Sequence, residues 1–247
     1  MKKIISKTEL LYKNTKSIDQ LKISDSIKLM VAEQKKAALE VKKSSQTIEK
    51  AINQIYDHLK FNKKGRLIYV GAGSSGRIAV QDGVELFPTF NWPKKRLDYI
   101  IAGGKKAIFS AIENAEDDIE LAKTMLEKKK VNYQDVVIGL AASGNTPFTC
   151  KVVEEAKNKS ALTVSISNNP EGEILNFGKI KIVLNTKEEV IAGSTRLKAG
   201  TAQKICLNII SSLVMTKMGR VKNGFMNNMV PTNEKLRKRK IIIDQNN

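Results

Sequence analysis

Apolar residues follow two rhythms along the chain. Between residues 24 and 59 they fall at Ile27, Leu29, Met30, Ala37, Leu39, Val41, Ile48, Ile52, Ile55 and Leu59, near the spacing of one helix face. Lysines fill the gaps, and neither proline nor glycine occurs from Lys2 to Asn62, which predicts two amphipathic helices. From Arg66 onward the rhythm changes to short continuous apolar runs, over residues 66–70, 97–101, 135–140, 161–166 and 180–184. The first four end in glycine, serine or asparagine, as buried strands do. Helix-length stretches separate them, predicted as helices over 76–86, 105–129 and 147–158. Connections of that length between buried strands imply parallel right-handed crossovers. The expected fold is a doubly wound, mostly parallel α/β sheet of the three-layer, flavodoxin-like kind, preceded by helices. In such sheets ligands sit beyond the carboxyl ends of the strands, so the loops 71–76, 103–104, 143–146 and 167–169 are expected to line one crevice.

Composition narrows the chemistry. The 247 residues include 43 Lys and Arg against 25 Asp and Glu, a formal charge of +18, which favours phosphorylated or polyanionic ligands. Two cysteines, Cys150 and Cys206, make neither a disulfide scaffold nor a metal cluster, and the single histidine, His58, removes most histidine-based catalysis. Carboxylates, hydroxyls and lysines remain. The start Met1-Lys2-Lys3-Ile4-Ile5 runs directly into Ser6, Lys7 and Glu9, so no signal peptide is expected. The longest apolar run, 205–215, falls short of the roughly 20 residues of a membrane span. A cytosolic protein without a membrane partner is the expectation.

Three polar clusters carry candidate chemistry. Gly71-Ala72-Gly73-Ser74-Ser75-Gly76-Arg77 follows a strand and opens a helix, as a dinucleotide-binding loop does. That function wants an acid at the end of the next strand, where this chain has Ala102-Gly103-Gly104, with Asp98 at the strand's start. Backbone N–H groups plus the Ser74 and Ser75 hydroxyls suit a phosphate monoester instead. Ser143-Gly144-Asn145-Thr146-Pro147 repeats the arrangement after another strand. Serine or threonine before a helix is often a plain N-cap, but two glycine-flanked loops facing one crevice point to a sugar phosphate. The third cluster, from Gly193-Ser194-Thr195-Arg196-Leu197-Lys198 to Lys204, opens the apolar helix; Lys198 could reach an anion, and a solvated capping segment would read the same way.

Acid–base candidates are Glu85, Glu113, Glu116, Asp117 and Asp118. Residues 113–118 fall in the predicted helix after Gly104, where Asp117 and Asp118 read as a solvated face. Glu85 lies among Val84, Leu86, Phe87 and Pro88, surroundings expected to raise a carboxyl's pKa toward general-acid use.

Together these segments resemble a sugar isomerase (SIS) domain, and more closely the N-acetylmuramic acid 6-phosphate etherase family. The matching motifs are the residue 66–77 loop, Ile101-Ala102-Gly103-Gly104, Glu113-Asn114-Ala115-Glu116-Asp117-Asp118, Gly139-Leu140-Ala141-Ala142-Ser143-Gly144, the run from Gly193 to Lys204, and Thr232-Asn233-Glu234-Lys235-Leu236. The resemblance implies cleavage of the lactyl ether of N-acetylmuramic acid 6-phosphate by elimination and water addition, giving N-acetylglucosamine 6-phosphate and D-lactate. It implies Glu85 as the acid that protonates departing lactate and Glu116 as the second catalytic glutamate, proposed to take the C2 proton. Ser74, Ser75, Ser143, Asn145 and Thr146 would bind substrate, with Ser194, Thr195 and Lys198 as further candidates. Neither metal nor organic cofactor is implied, and a homodimer with sites near the subunit interface is.

The family's Ser-Glu-Cys-Pro-Pro-Thr stretch stands here as Val84-Glu85-Leu86-Phe87-Pro88-Thr89, its arginine after the second serine loop as Asn145, and its aspartate after Asn-Leu-Met as Asn228. A helical segment over 1–60, a SIS domain over 61–225 and a C-terminal segment over 226–247, shorter than the family's, are expected. Two other readings stay open: a sugar-phosphate sensor without catalysis and a phosphosugar isomerase. Nucleic acid is not an expected partner, because the lysines of residues 22–64 are scattered and no compact turn joins a recognition helix.

Overall fold

The computed structural model describes residues 7–13, 16–231 and 234–245. The apolar runs form five strands, β1 (Leu67–Gly71), β2 (Leu97–Ile101), β3 (Val136–Ala141), β4 (Leu162–Ser167) and β5 (Ile180–Val183). All pair in parallel, in the order β2-β1-β3-β4-β5. The helices are α1 (Ile23–Lys43), α2 (Ser45–Phe61), α3 (Gly73–Val84), α4 (Leu86–Phe90), α5 (Ile119–Lys128), α6 (Pro147–Asn158), α7 (Lys198–Lys217) and α8 (Glu234–Gln245). This is the doubly wound α/β fold that the sequence predicts.

Side chains alternate across the strands and bury both faces. Leu67, Tyr69, Val136 and Ile138 pack against Ile48, Ile52 and Ile55 of α2, Ala79 of α3 and Leu207 and Ile210 of α7. Their neighbours Ile68, Val70 and Val137 face the other way, onto Ala122 and Leu126 of α5 and Phe148 and Val152 of α6. Two covered faces explain why the strands read as unbroken apolar runs.

Polar ties fix the layers. At the amino ends of the strands, Arg66 donates through Nε (3.0 Å) and Nη2 (2.7 Å) to the two carboxylate oxygens of Asp135. Inside the core, Asp82 of α3 accepts from Tyr69 Oη at 2.7 Å, Asn208 Nδ2 at 2.7 Å and Ser211 Oγ at 3.0 Å, binding α3 to β1 and α7. Among the described residues no helix is long and apolar enough to cross a membrane.

The stretch 105–129 departs from the single predicted helix. A 3₁₀ turn occupies Gly104–Ile108, turns follow, and helix begins only at Ile119. Asn114 takes φ +57, which an α-helix forbids, and the Asp118 carboxylate accepts from Leu121 N at 2.8 Å, capping the helix at that point. Glu113, Glu116 and Asp117 therefore ride on a loop, and Asp118 is a cap rather than part of a solvated helix face. Thr232 and Asn233 of the last matching motif lie outside the described residues, as do residues 1–6.

Candidate functional site

The sheet's winding reverses between β1 and β3, and the loops leaving these strands diverge there into a crevice. It measures about 390 Å³ and is lined by Ser74 and Ser75 after β1, Ser143, Asn145 and Thr146 after β3, Glu116 and Asp117, Gly193 and Thr195, and Glu9.

Each side chain has a local reason for its place. Helix α3 starts at Gly73, with Ala72 as its N-cap, so Ser74 and Ser75 lie inside the first turn and do not cap it. Gly73 holds φ +51 with no atom within 4 Å of where a Cβ would stand, leaving bare backbone toward the crevice. At the second loop Pro147 opens α6 behind Thr146, whose hydroxyl makes no capping bond. Asn145 N donates to Ser143 Oγ at 3.2 Å, and Asn145 Oδ1 accepts from Glu173 N at 2.9 Å, which fixes the turn. Both helix N-termini thus offer N–H groups and hydroxyls to an anion.

The glutamate loop is tied down at its backbone. Arg77 donates to the carbonyls of Ala107 (3.0 Å) and Ser110 (3.1 Å), and Phe148 N donates to Glu116 O at 2.9 Å. Arg77 therefore braces the loop that carries Glu116. Glu113 lines an adjoining hollow with Ile112 and Arg77, which Ser74 and Glu116 also border, but not the crevice of Ser143 and Thr146. Of the two, Glu116 is the one that shares the crevice with both serine loops. Asp117, expected on a solvated helix face, lines it as well.

Several expected contributors lie elsewhere. Glu85 is exposed at the carboxyl end of α3, at the opposite end of the helix from Ser74, and so lacks the apolar enclosure its neighbours suggested. Leu86 turns into the core while Val84 is half exposed, because helical spacing carries adjacent residues to different faces. Lys198 is 3% exposed and paired with Glu33, so it offers no charge to the crevice. Ser194 is absent from the lining, and of that run only Gly193 and Thr195 reach it. Residues 167–169 are buried: Asn168 Nδ2 spans the Leu184 and Ala199 carbonyls and the Thr186 hydroxyl, while Gln203 Nε2 donates to Asn168 Oδ1 at 2.9 Å. Gly104 lines an apolar groove of about 550 Å³ beside β2, with Val80, Val84, Tyr99 and Phe109.

Groups with reactive potential are otherwise spoken for. Burial pushes the Cys150 and Cys206 thiols up to about 12, and burial lowers the pKa of His58, whose Nε2 lies 3.1 Å from Gln134 O. Asp98 sits at the start of β2, 2.5 Å from Lys129, far from a ribose-binding position. Two features escaped the sequence. Glu9 reaches the crevice from outside the sheet, and Glu189 caps α7 by accepting from Lys198 N (3.1 Å) and Ala199 N (2.7 Å). Burial raises the Glu189 carboxyl, partly offset by those bonds. Neither acid stands in a sequence pattern that names its partner.

Known proteins agree with this architecture. Residues 47–157 match the glucokinase regulatory protein N-terminal SIS domain. Among solved structures, the chain is similar in fold to a phosphoheptose isomerase from Francisella tularensis (TM-score 0.60, 18% identity, 79% of this chain and 100% of that one). It is similar also to the Vibrio vulnificus NanR protein complexed with ManNAc-6P (TM-score 0.54, 11% identity, 90% and 72%). At such identities the likeness concerns the fold alone. In sequence it is 41% identical, over 239 residues, to the N-acetylmuramic acid 6-phosphate etherase of Bacillus cereus (strain B4264), covering 96% of this chain and 81% of that protein. That extent of identity over nearly the whole length shows that the chain belongs to the N-acetylmuramic acid 6-phosphate etherase family.

Proposed function

We propose that the protein is a carbon–oxygen lyase of the cytosol that cleaves the D-lactyl ether of N-acetylmuramic acid 6-phosphate. The observation that carries this reading is the meeting of Glu116 with Ser74, Ser75, Ser143 and Thr146 in one crevice. Hydroxyls and N–H groups hold the phosphate, and a carboxylate stands beside the sugar. In the open-chain sugar the C1 aldehyde acidifies C2. Glu116 takes the C2 proton, the C3–O bond breaks, and a second carboxylic acid gives its proton to the departing lactate oxygen. Water then adds its hydroxyl at C3 and a proton at C2, leaving N-acetylglucosamine 6-phosphate and D-lactate. Asn145 and Thr195 complete the substrate contacts, and the reaction needs no metal or organic cofactor.

The acid is Glu85, supplied by a second copy of the chain. Ser75 and Glu85 are ten residues apart along α3, or about 15 Å at 1.5 Å per residue, and Glu85 lines neither the crevice nor the hollow beside it within one copy. The exposure of Glu85 and the apolar groove lined by Val84 beside it suit a face that another subunit covers. The homodimer is thus part of the reading.

Purified protein incubated with N-acetylmuramic acid 6-phosphate should release D-lactate, and Glu85→Gln should abolish that release. Binding of the sugar phosphate without release would instead mark the chain as a sensor.

A further inference from the structure

A segment outside the sheet borders the crevice and puts Glu9 in its lining. Lys7 to Tyr12 is anchored at three points: Lys7 Nζ lies 4.0 Å from Glu171, Thr8 O accepts from Gly193 N at 3.1 Å, and Tyr12 Oη donates to Glu33 Oε1 at 2.8 Å. Thr8 is fully buried beneath it. None of these anchors uses the Glu9 side chain. Among the described residues, the Glu9 carboxylate meets the Thr8 hydroxyl at 3.4 Å, at the long limit of a hydrogen bond.

Gly193 stands against the Glu9 carboxylate. Gly193 takes φ +72, and a Cβ there would stand 2.8 Å from Glu9 Oε2, closer than real Cβ contacts come. The positive φ by itself calls for glycine here, and the missing side chain leaves room for the end of the flexible Glu9 side chain; of the run from Gly193 to Lys204 the proposed chemistry otherwise uses only Thr195.

The charges in the crevice are arranged in a telling way. Its charged lining residues are Glu9, Glu116 and Asp117, and neither lysine nor arginine stands among them. Within one chain, the donors at the serine loops are the place for a phosphate, and the carboxylates suit an uncharged portion of the ligand. A carboxylate only accepts hydrogen bonds, so what it selects is a hydroxyl or N–H group. A site built to bond such a group rejects ligands that lack it.

We propose that Glu9 contacts substrate and determines specificity: its carboxylate accepts a hydrogen bond from the hydroxyl-bearing end of the bound sugar phosphate. This rests on the sugar-phosphate reading of the crevice, but not on the cleavage step.

The test is calorimetric binding of two probes, N-acetylglucosamine 6-phosphate and inorganic phosphate, to the full chain and to Glu9→Ala and Glu9→Gln. Loss of one charge-assisted hydrogen bond should weaken the sugar phosphate about tenfold in Glu9→Ala and less in Glu9→Gln, whose amide oxygen still accepts. Phosphate affinity and the melting temperature should stay unchanged in both. Sugar-phosphate affinity within twofold of the parent chain overturns the proposal. Equal weakening of both probes, or a lowered melting temperature in the isosteric Glu9→Gln, also overturns it, since a merely structural segment would act that way. A parent chain that binds both probes yet releases no lactate removes the cleavage reading and leaves this one standing; a parent chain that binds neither removes both.

Discussion

Lys198 Nζ lies 2.7 Å from Glu33 Oε2, and both side chains are buried, so an ion pair joins the first helix to the start of α7 across 165 positions of sequence. Lys198 also donates to Glu188 O at 2.8 Å, and Tyr12 and Lys36 bond the other Glu33 oxygen. Burial pushes the Glu33 carboxyl up, but the bonds from Lys198, Lys36 and Tyr12 outweigh it and hold the group below the usual carboxylate range.

A pH dependence follows from that depression. A carboxyl with a lowered folded-state pKa contributes stability above its ordinary value near 4.3, and the contribution is lost as pH falls through the lower folded value. Lys198→Met strands a buried carboxylate and should cost about 3 kcal/mol near neutral pH, at the lower end for such pairs because Lys36 and Tyr12 remain. Melting curves should show the deficit shrinking between pH 5 and pH 3, as Glu33 protonates. A deficit that is constant over that range would mean lost packing rather than a lost charge pair.

The same pair marks where the sequence stops being legible. Strand positions were readable because apolar runs are local, and the parallel pairing followed from the length of the connections. The serine loops were readable because two glycine-flanked hydroxyl clusters follow strands whose ends meet at one crevice, although either alone reads as a plain N-cap. Lys198 looked like a surface cation because its partner, Glu33, lies in another helix, and no spacing rule connects them. Glu85 looked enclosed because apolar neighbours in sequence point to different sides of a helix end. Residues 105–118 kept a helical composition, whereas a positive φ at Asn114 and the Asp118 cap decided the outcome.

The serine loops predict how binding should fail. With neutral donors lining the phosphate end, removing one hydroxyl deletes one hydrogen bond to a charged group, about 1.5 kcal/mol or more. Ser75→Ala should raise KM about tenfold with kcat within a few-fold of the parent, and Ser143→Ala, which also loses the bond from Asn145 N, should raise KM at least as much. Both are first-turn or loop residues whose backbone geometry alanine accepts. Steady-state kinetics checks this, and a fall in kcat at constant KM would remove that hydroxyl from the phosphate site.

The two glutamates of the braced loop should separate cleanly. Glu116 lines the crevice with both serine loops, while Glu113 occupies the adjoining hollow. Glu116→Gln should lower kcat by at least about 10²-fold, the usual scale for an acid–base group, and Glu113→Gln by less than about threefold. Exchange of the C2 proton with deuterium from solvent reports the base directly. Exchange that survives in Glu116→Gln and vanishes in Glu113→Gln would reverse the assignment.

Supply of Glu85 by a second copy can be tested with two dead variants. A two-fold dimer places each copy's Glu85 at its partner's crevice, so Glu85→Gln and Glu116→Gln homodimers each lack one carboxylate at both sites. A mixed dimer has one crevice with both carboxylates intact and one with neither. Random exchange makes half the dimers mixed, so an equimolar mixture should recover about one quarter of parental activity. If both glutamates served a sugar within one copy, every crevice in the mixture would lack one of them and activity would stay at the level of the separate variants. Recovery should grow over the time course of subunit exchange and disappear when the variants are diluted below the dimer dissociation constant. A substitution that weakens the dimer at the apolar groove, Phe109→Lys at a side chain 90% exposed in the single chain, should lower the recovered and the parental activities together.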